Sequence, residues 1–189
     1  VRHIHFIQWD PLGECLWMGT GDRNEESRLL TSVNEGLTWE AVGKGAQLWR
    51  AVGVVFTPEA VYWGTDAGSD AGDTPNHIVR WDRGTRRAET VREIQGPCHG
   101  ITRLADGTIL LATGVEGGRN EHDRRSHLWC AFDGHFREIA AWDKDLWPPV
   151  VQFGVVHFPH GLERSEKPSL VLLGLKGQAL DADLLLEDG

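Results

Sequence analysis

Three stretches of this chain end an apolar run in Gly or Ala, then Thr, then an acid: "LWMGTGD" (Leu16 to Asp22), "VYWGTD" (Val61 to Asp66) and "ILLATGVE" (Ile109 to Glu116). Their threonines, Thr20, Thr65 and Thr113, are 45 and 48 residues apart. A looser copy, "LVLLGLK" (Leu170 to Lys176), arrives later because "GLERSEKPS" lengthens the preceding turn. Between the copies run short segments rich in Val, Ile, Trp and Thr, broken by "DPLG", "TPEA", "ADG" and "PHG". These are strand and turn signals, with almost no helical periodicity. A period in the mid-forties that holds four short antiparallel strands is that of a β-propeller blade, which stacks on its neighbours because one blade cannot bury both of its apolar faces. The chain is therefore expected to be all-β, a single propeller domain over 1–189 with about four four-stranded blades near 1–49, 50–98, 99–149 and 150–189.

The segment "SVNEGLTWEAVG" carries a second signal, Ser32-x-Asn34-x-Gly36-x-Thr38-Trp39. It calls for a hairpin turn in which the Asn side chain caps backbone amides, Gly takes a positive φ and Trp folds over the turn. The pattern resembles the Asp-box, or bacterial neuraminidase repeat (BNR), of sialidase-like propellers, with Asn34 where that family usually has Asp. "VRWDRGTRR" (Asp82, Gly84) and "WCAFDGHFRE" (Asp133, Gly134) are degenerate versions. In blade order, and in "WGTD" and "VEGG", the chain also resembles bacterial sialidase-like propeller proteins whose activity is not characterised. Such boxes sit on outer hairpins and build structure rather than chemistry. The resemblance implies a ring of six or seven blades, so missing blades or a second copy of the chain would complete the circle.

Composition narrows the function classes. At 40% hydrophobic and 25% charged residues the chain has the balance of a soluble globular protein. Net charge is −9 and no Lys/Arg block is present, which argues against a nucleic-acid partner because phosphate tracking needs clustered cations. The longest apolar runs, such as Ser169 to Leu175, fall short of the roughly 20 residues of a membrane helix, so no membrane span is expected. The first residue is Val1, which reads as a piece of a longer translated chain, in which a signal peptide would not be visible and the compartment is not indicated. Cys15, Cys98 and Cys130 form no Cys-x-x-Cys pair and read as buried thiols.

The site is sought where blades converge. Aligning the copies on their first turns, at Asp10, Thr57, Asp106 and Pro159, and stepping back seven residues gives His3, Arg50, His99 and Gln152, all polar where strand a enters nearest the channel axis. The ends of strand b add Asp22, Asp66, Glu116 and Lys176 to the same rim. This constellation predicts a pocket for an anionic, carbohydrate-type ligand, with Arg50 as a carboxylate clamp, His3 and His99 as general acid/base groups or metal ligands, and Asp66 or Glu116 as their partners. Asp22, Gln152 and Lys176 are further ligand contacts, and Trp49 is a candidate stacking platform for a sugar. No cofactor is expected, with Ca²⁺ or another divalent ion at Asp66, Asp70 and Asp73 as the candidate exception. His3 and His5 alternate along a strand, which disfavours one metal between them. His157 and His160 flank the first turn of their repeat and belong to the opposite face. Catalysis is left open. The sialidase set of an arginine triad, acid and Tyr/Glu pair is not displayed, since the single tyrosine, Tyr62, sits inside a strand. The alternatives are a protein-binding scaffold without catalysis, and a glycosidase or a metal-assisted polysaccharide lyase.

Overall fold

Residues 3–132, 134–158, 171–178 and 183–186 are described by a computed structural model. Their regular structure is strand, apart from one short 3₁₀ turn at Gln47–Trp49. The strands are β1 (Ile4–Asp10), β2 (Cys15–Thr20), β3 (Arg28–Ser32), β4 (Glu40–Lys44), β5 (Val55–Phe56), β6 (Ala60–Gly64), β7 (Asn76–Asp82), β8 (Arg87–Ile94), β9 (Cys98–Arg103), β10 (Ile109–Thr113), β11 (Arg125–Phe132), β12 (His135–Asp143), β13 (Val155–His157), β14 (Val171–Lys176) and β15 (Asp183–Leu186). They form antiparallel meanders in chain order: β1 to β4, β5 to β8, β9 to β12, and, among the described residues, a three-stranded sheet of β13 to β15. Pro159 and His160 of the fourth repeat lie outside the described residues.

The period-two alternation of strands explains why β6 and β10 are buried throughout. On β6, Val61 and Trp63 face the first sheet and pack with Trp17, Leu29 and Trp81, while Ala60 and Tyr62 face the third sheet and pack with Ile109, Leu111 and Trp129. On β10, Leu110 and Ala112 look the other way, onto Val156 of the fourth sheet. Each inner sheet is thus buried on both faces by its neighbours, the packing logic of a propeller. Cys15 and Cys98 lie in these layers and Cys130 is half-buried.

The repeated threonines have a local job. Thr20 donates its hydroxyl to the Glu26 carbonyl at 2.9 Å, Thr65 donates to Asn76 Oδ1 at 3.0 Å and accepts the His77 amide at 2.8 Å, and Thr113 accepts the His127 amide at 2.9 Å. All three are buried. Each hydroxyl closes the loop between the second and third strands of its sheet, so the acids that follow are presented on closed, ordered loops at one end of the stack.

The β3–β4 hairpin is tied by side chains. Ser32 Oγ accepts the Gly36 amide at 2.9 Å and donates to Asn34 Oδ1 at 2.9 Å, and Asn34 Oδ1 accepts the Thr38 amide at 2.9 Å. Gly36 sits at φ +85°, where an L side chain is strained, with the Trp39 ring laid against it. Ser32→Ala removes two of these bonds and is expected to cost about 1 kcal/mol, a fall of about 2–4 °C in Tm by calorimetry, with the fold retained.

Candidate functional site

Two irregularities decide which side chains gather at this end of the stack. The β1–β2 register slips between Ile4 and Phe6, and the β9–β10 register slips between Cys98 and Gly100, so His5 and His99 are the extra residues of equivalent β-bulges. A bulge re-aims a side chain and breaks alternation. The expected alignment therefore needs correction: His99 corresponds to His5, not His3. Counting back from the turns misplaced the pair because Asp10 is the last paired residue of its strand, opposite Cys15, whereas Asp106 lies two residues beyond Leu104, whose amide donates to the Thr108 carbonyl. The bulge also overturns the expectation that His3 and His5 point apart. Their rings stack at 4.7 Å, and both Nε2 atoms approach Asp22 Oδ1, at 3.3 and 3.4 Å.

Arg50 leaves the 3₁₀ turn as its C-terminal cap and is 6% exposed. Its Nε donates to Asp66 Oδ2 at 3.2 Å, and its Nη1 to Asp70 Oδ1 at 2.8 Å, to the Asp22 carbonyl at 3.0 Å and to Gln47 Oε1 at 3.4 Å; Nη2 lies 3.7 Å from Asp22 Oδ1. The expected clamp for a ligand carboxylate is thus engaged by the protein's own carboxylates. Burial lowers the Arg50 pKa, but Asp66, Asp70 and Asp22 outweigh it and hold it raised.

Beyond Arg50 lies the second half of the site, drawn from the second and third sheets. Asp66, His99 and Glu116 bring their polar atoms within 4.8 Å of one another. His99 Nε2 is 2.8 Å from Glu116 Oε1, and Glu116 Oε2 accepts the Ser69 amide at 3.3 Å. Burial drives the Asp66 carboxyl up to about 6, against the lowering fields of Arg50 and His99. For His99, burial favours the neutral ring, but the hydrogen bond to Glu116 and the charges of Glu116, Asp66 and Glu121 prevail and raise its pKa. Burial pushes Glu116 up, yet His99 and the Ser69 amide bring it below its ordinary value.

Glu121 was not singled out by sequence reasoning, yet it organises the loop. It accepts the amides of Glu116, Gly117 and Gly118 at 2.7, 3.1 and 3.1 Å. The signal available was the Gly-Gly turn within "GVEGGRNE". Gly114 is needed for close approach, because a Cβ there would overlap the His99 ring. Gly114→Ala is expected to displace that ring from Glu116 at a cost of about 1–3 kcal/mol, read as a changed His99 titration by NMR.

Other expected residues sit elsewhere. Asp73 pairs with Arg119 at 3.3 Å, both exposed, so Asp66, Asp70 and Asp73 do not gather around one cation. Among the described residues the convergent ligand sets are His3, His5 and Asp22, and Asp66, His99 and Glu116. The Trp49 ring lies on Gly43 and tilts against Trp63 at 5.8 Å, a packing position rather than an open platform. Gln152 is half-buried beside Gly177, and Lys176 is exposed on β14 next to His157, whose pKa is lowered by burial and then by His99 and Lys176. Tyr62 is in the core against Phe136. A cleft of about 580 Å³ opens at the opposite end, around the first turns, lined by Tyr62, Arg80 and Arg103 among others. Its Arg80 is paired with Asp82 and Glu89, and the chemistry converges at the mouth instead.

No helix among the described residues is long and apolar enough to cross a membrane. No protein-family model matches the sequence, and a search of curated proteins returns no match. Among solved structures the chain is similar to the crystal structure of a protein provisionally named a gluconolactonase, with a TM-score of 0.57 and 14% identity over 99% of this chain. The chain spans 64% of the length of that protein. At this identity the likeness speaks for fold alone. Together with the stacked four-stranded meanders it makes the chain an all-β protein of propeller-like fold.

Proposed function

We propose that the mouth of this propeller binds a neutral, polyhydroxylated, carbohydrate-type ligand and acts on it by acid–base chemistry. The observation that carries this reading is the Asp66–His99–Glu116 group, in which neighbouring carboxyls are pushed to opposite sides of their ordinary range. Such a split separates an acid from a base. A neutral ligand is favoured over an anionic one because Asp22, Asp66, Asp70, Glu116 and Glu121 outnumber the one guanidinium among them, which Asp22, Asp66 and Asp70 already engage. A sugar lactone, the class suggested by the name of the structurally similar protein, fits these terms. Ionised Glu116, held by protonated His99, takes a proton from water as it adds to the lactone carbonyl, and protonated Asp66 gives one to the departing ring oxygen.

The test is hydrolysis of neutral aldonolactones followed from pH 5 to 8. Turnover is expected to fall above about pH 6 as Asp66 ionises, and Asp66→Asn is expected to lower kcat by about 10²–10⁴-fold. Unchanged turnover and an unchanged profile in Asp66→Asn would sink the acid–base reading.

A second reading, a protein-binding scaffold, is supported by Ile7 and Trp9, which share a face of β1 and are 54% and 55% exposed, near exposed Leu12. A further blade or a second copy of the chain would cover the same face. The Ser32 to Trp39 turn is in keeping with kinship to Asp-box propellers and contributes structure in either reading.

A further inference from the structure

His5 has a fixed tautomer. Its Nδ1 lies 3.0 Å from the Ala51 carbonyl, which can only accept, so Nδ1 carries the hydrogen. In a neutral ring Nε2 then presents a lone pair, and it does so toward Asp22 Oδ1, itself an acceptor, at 3.4 Å. Two acceptors facing each other with the imidazole side chain only 6% exposed repel unless a positive charge lies between them. His3 Nε2 reaches the same oxygen at 3.3 Å.

Protons alone satisfy this geometry poorly. Charge-assisted N–H···O bonds run at about 2.7–2.9 Å, as His99 and Glu116 show at 2.8 Å, and protonating both histidines would stack two cations at 4.7 Å. A single metal ion does better. With bonds of about 2.0–2.1 Å, a tetrahedral centre has ligand-to-ligand edges of about 3.3–3.5 Å, which the two measured separations match. The Nδ1 bond to a backbone carbonyl is also the outer contact that orients a ligating histidine.

We propose that His3, His5 and Asp22 form a binding site for a divalent first-row metal ion, Zn²⁺ above all, on the first sheet side of Arg50. Two imidazoles and one carboxylate are the donor set such ions favour over Ca²⁺ or Mg²⁺. Arg50 Nη2 lies 3.7 Å from the same Asp22 oxygen, and Asp66 and Asp70 offset its charge. The fourth coordination position is reached from solvent, because the His3 side chain is 53% exposed. This site is separate from the Asp66–His99–Glu116 group, and its test stands whether or not lactones are hydrolysed.

The experiment titrates metal-free protein with Co²⁺, whose tetrahedral complexes absorb strongly in the visible, and then displaces it with Zn²⁺. One equivalent of Co²⁺ is expected to give the tetrahedral band, and His3→Ala and Asp22→Asn to weaken binding at least tenfold, while Glu116→Gln leaves it within twofold. His3→Ala is the decisive variant because the side chain is exposed and its loss opens no core cavity; circular dichroism confirms that it folds. Absence of the band, indifference to His3→Ala, or loss of binding in Glu116→Gln would each overturn the proposal, the last by placing the ion on the other triad.

Discussion

Arg50→Ala is expected to destabilise the protein by about 3–5 kcal/mol, the range found when one partner of a buried ion pair is removed. For a chain of this size that is a fall of roughly 10–15 °C in Tm. Two effects add. The guanidinium's bonds to Asp66, Asp70, Gln47 and the Asp22 carbonyl disappear, and the 6%-exposed Asp66 is left without its nearest cation. Arg50→Lys should recover only part of the loss, since one ammonium cannot reproduce a planar fork that reaches three chain segments at once. Pairing Arg50→Ala with Asp66→Asn should restore more, because the orphaned charge is removed with its partner. Urea unfolding of the four proteins in that cycle gives the coupling directly, and additive losses would show that Arg50 and Asp66 do not stabilise each other.

The second large effect concerns pH. Asp66 has a folded pKa of about 6 against an ordinary 3.8, so between these values the folded state holds a proton that the unfolded state has released. Stability therefore falls as pH rises through that window, by about 3 kcal/mol in all. His99, raised above 6.5, contributes stability that is full below 6.5 and lost as pH climbs through its folded pKa, which extends the same slope. Glu116, lowered from 4.5, acts in the opposite sense and loses its contribution as pH falls below that value. From these three groups the stability curve is expected to peak at about pH 4.5 and to decline from there toward pH 8. Asp66→Asn should flatten the limb between pH 4 and 6, and an equally steep limb in that variant would assign the slope to other groups.

The fold was legible because its repeat records a repeated physical need. Thr20, Thr65 and Thr113 recur where each loop must be closed by a hydroxyl, and the apolar runs of β6 and β10 recur where a sheet is covered on both faces. Arg50, Asp66, His99 and Glu116 were legible for a related reason, since polar residues at strand entries and exits must meet at the mouth. Their partners were not. Pairing Arg50 with Asp66 and Asp70, 16 and 20 residues away, is decided by loop geometry that leaves no trace in spacing. The same holds for His5. One inserted residue in a ladder reverses which face a side chain takes, and neither that bulge nor the unequal hairpin turns can be read from alternation. Charge balance at the mouth was hidden too: the lone arginine suggested an anionic ligand until its partners were known.

A site for a neutral polyhydroxylated ligand where three sheets converge would be tested most directly by calorimetric binding isotherms at pH 6. A neutral sugar lactone and the corresponding sugar acid would be titrated into wild-type protein and into Glu116→Gln. The lactone is expected to bind more tightly than the acid, and Glu116→Gln to weaken its binding at least tenfold. Tighter binding of the acid, or equal lactone binding by Glu116→Gln, would contradict such a site.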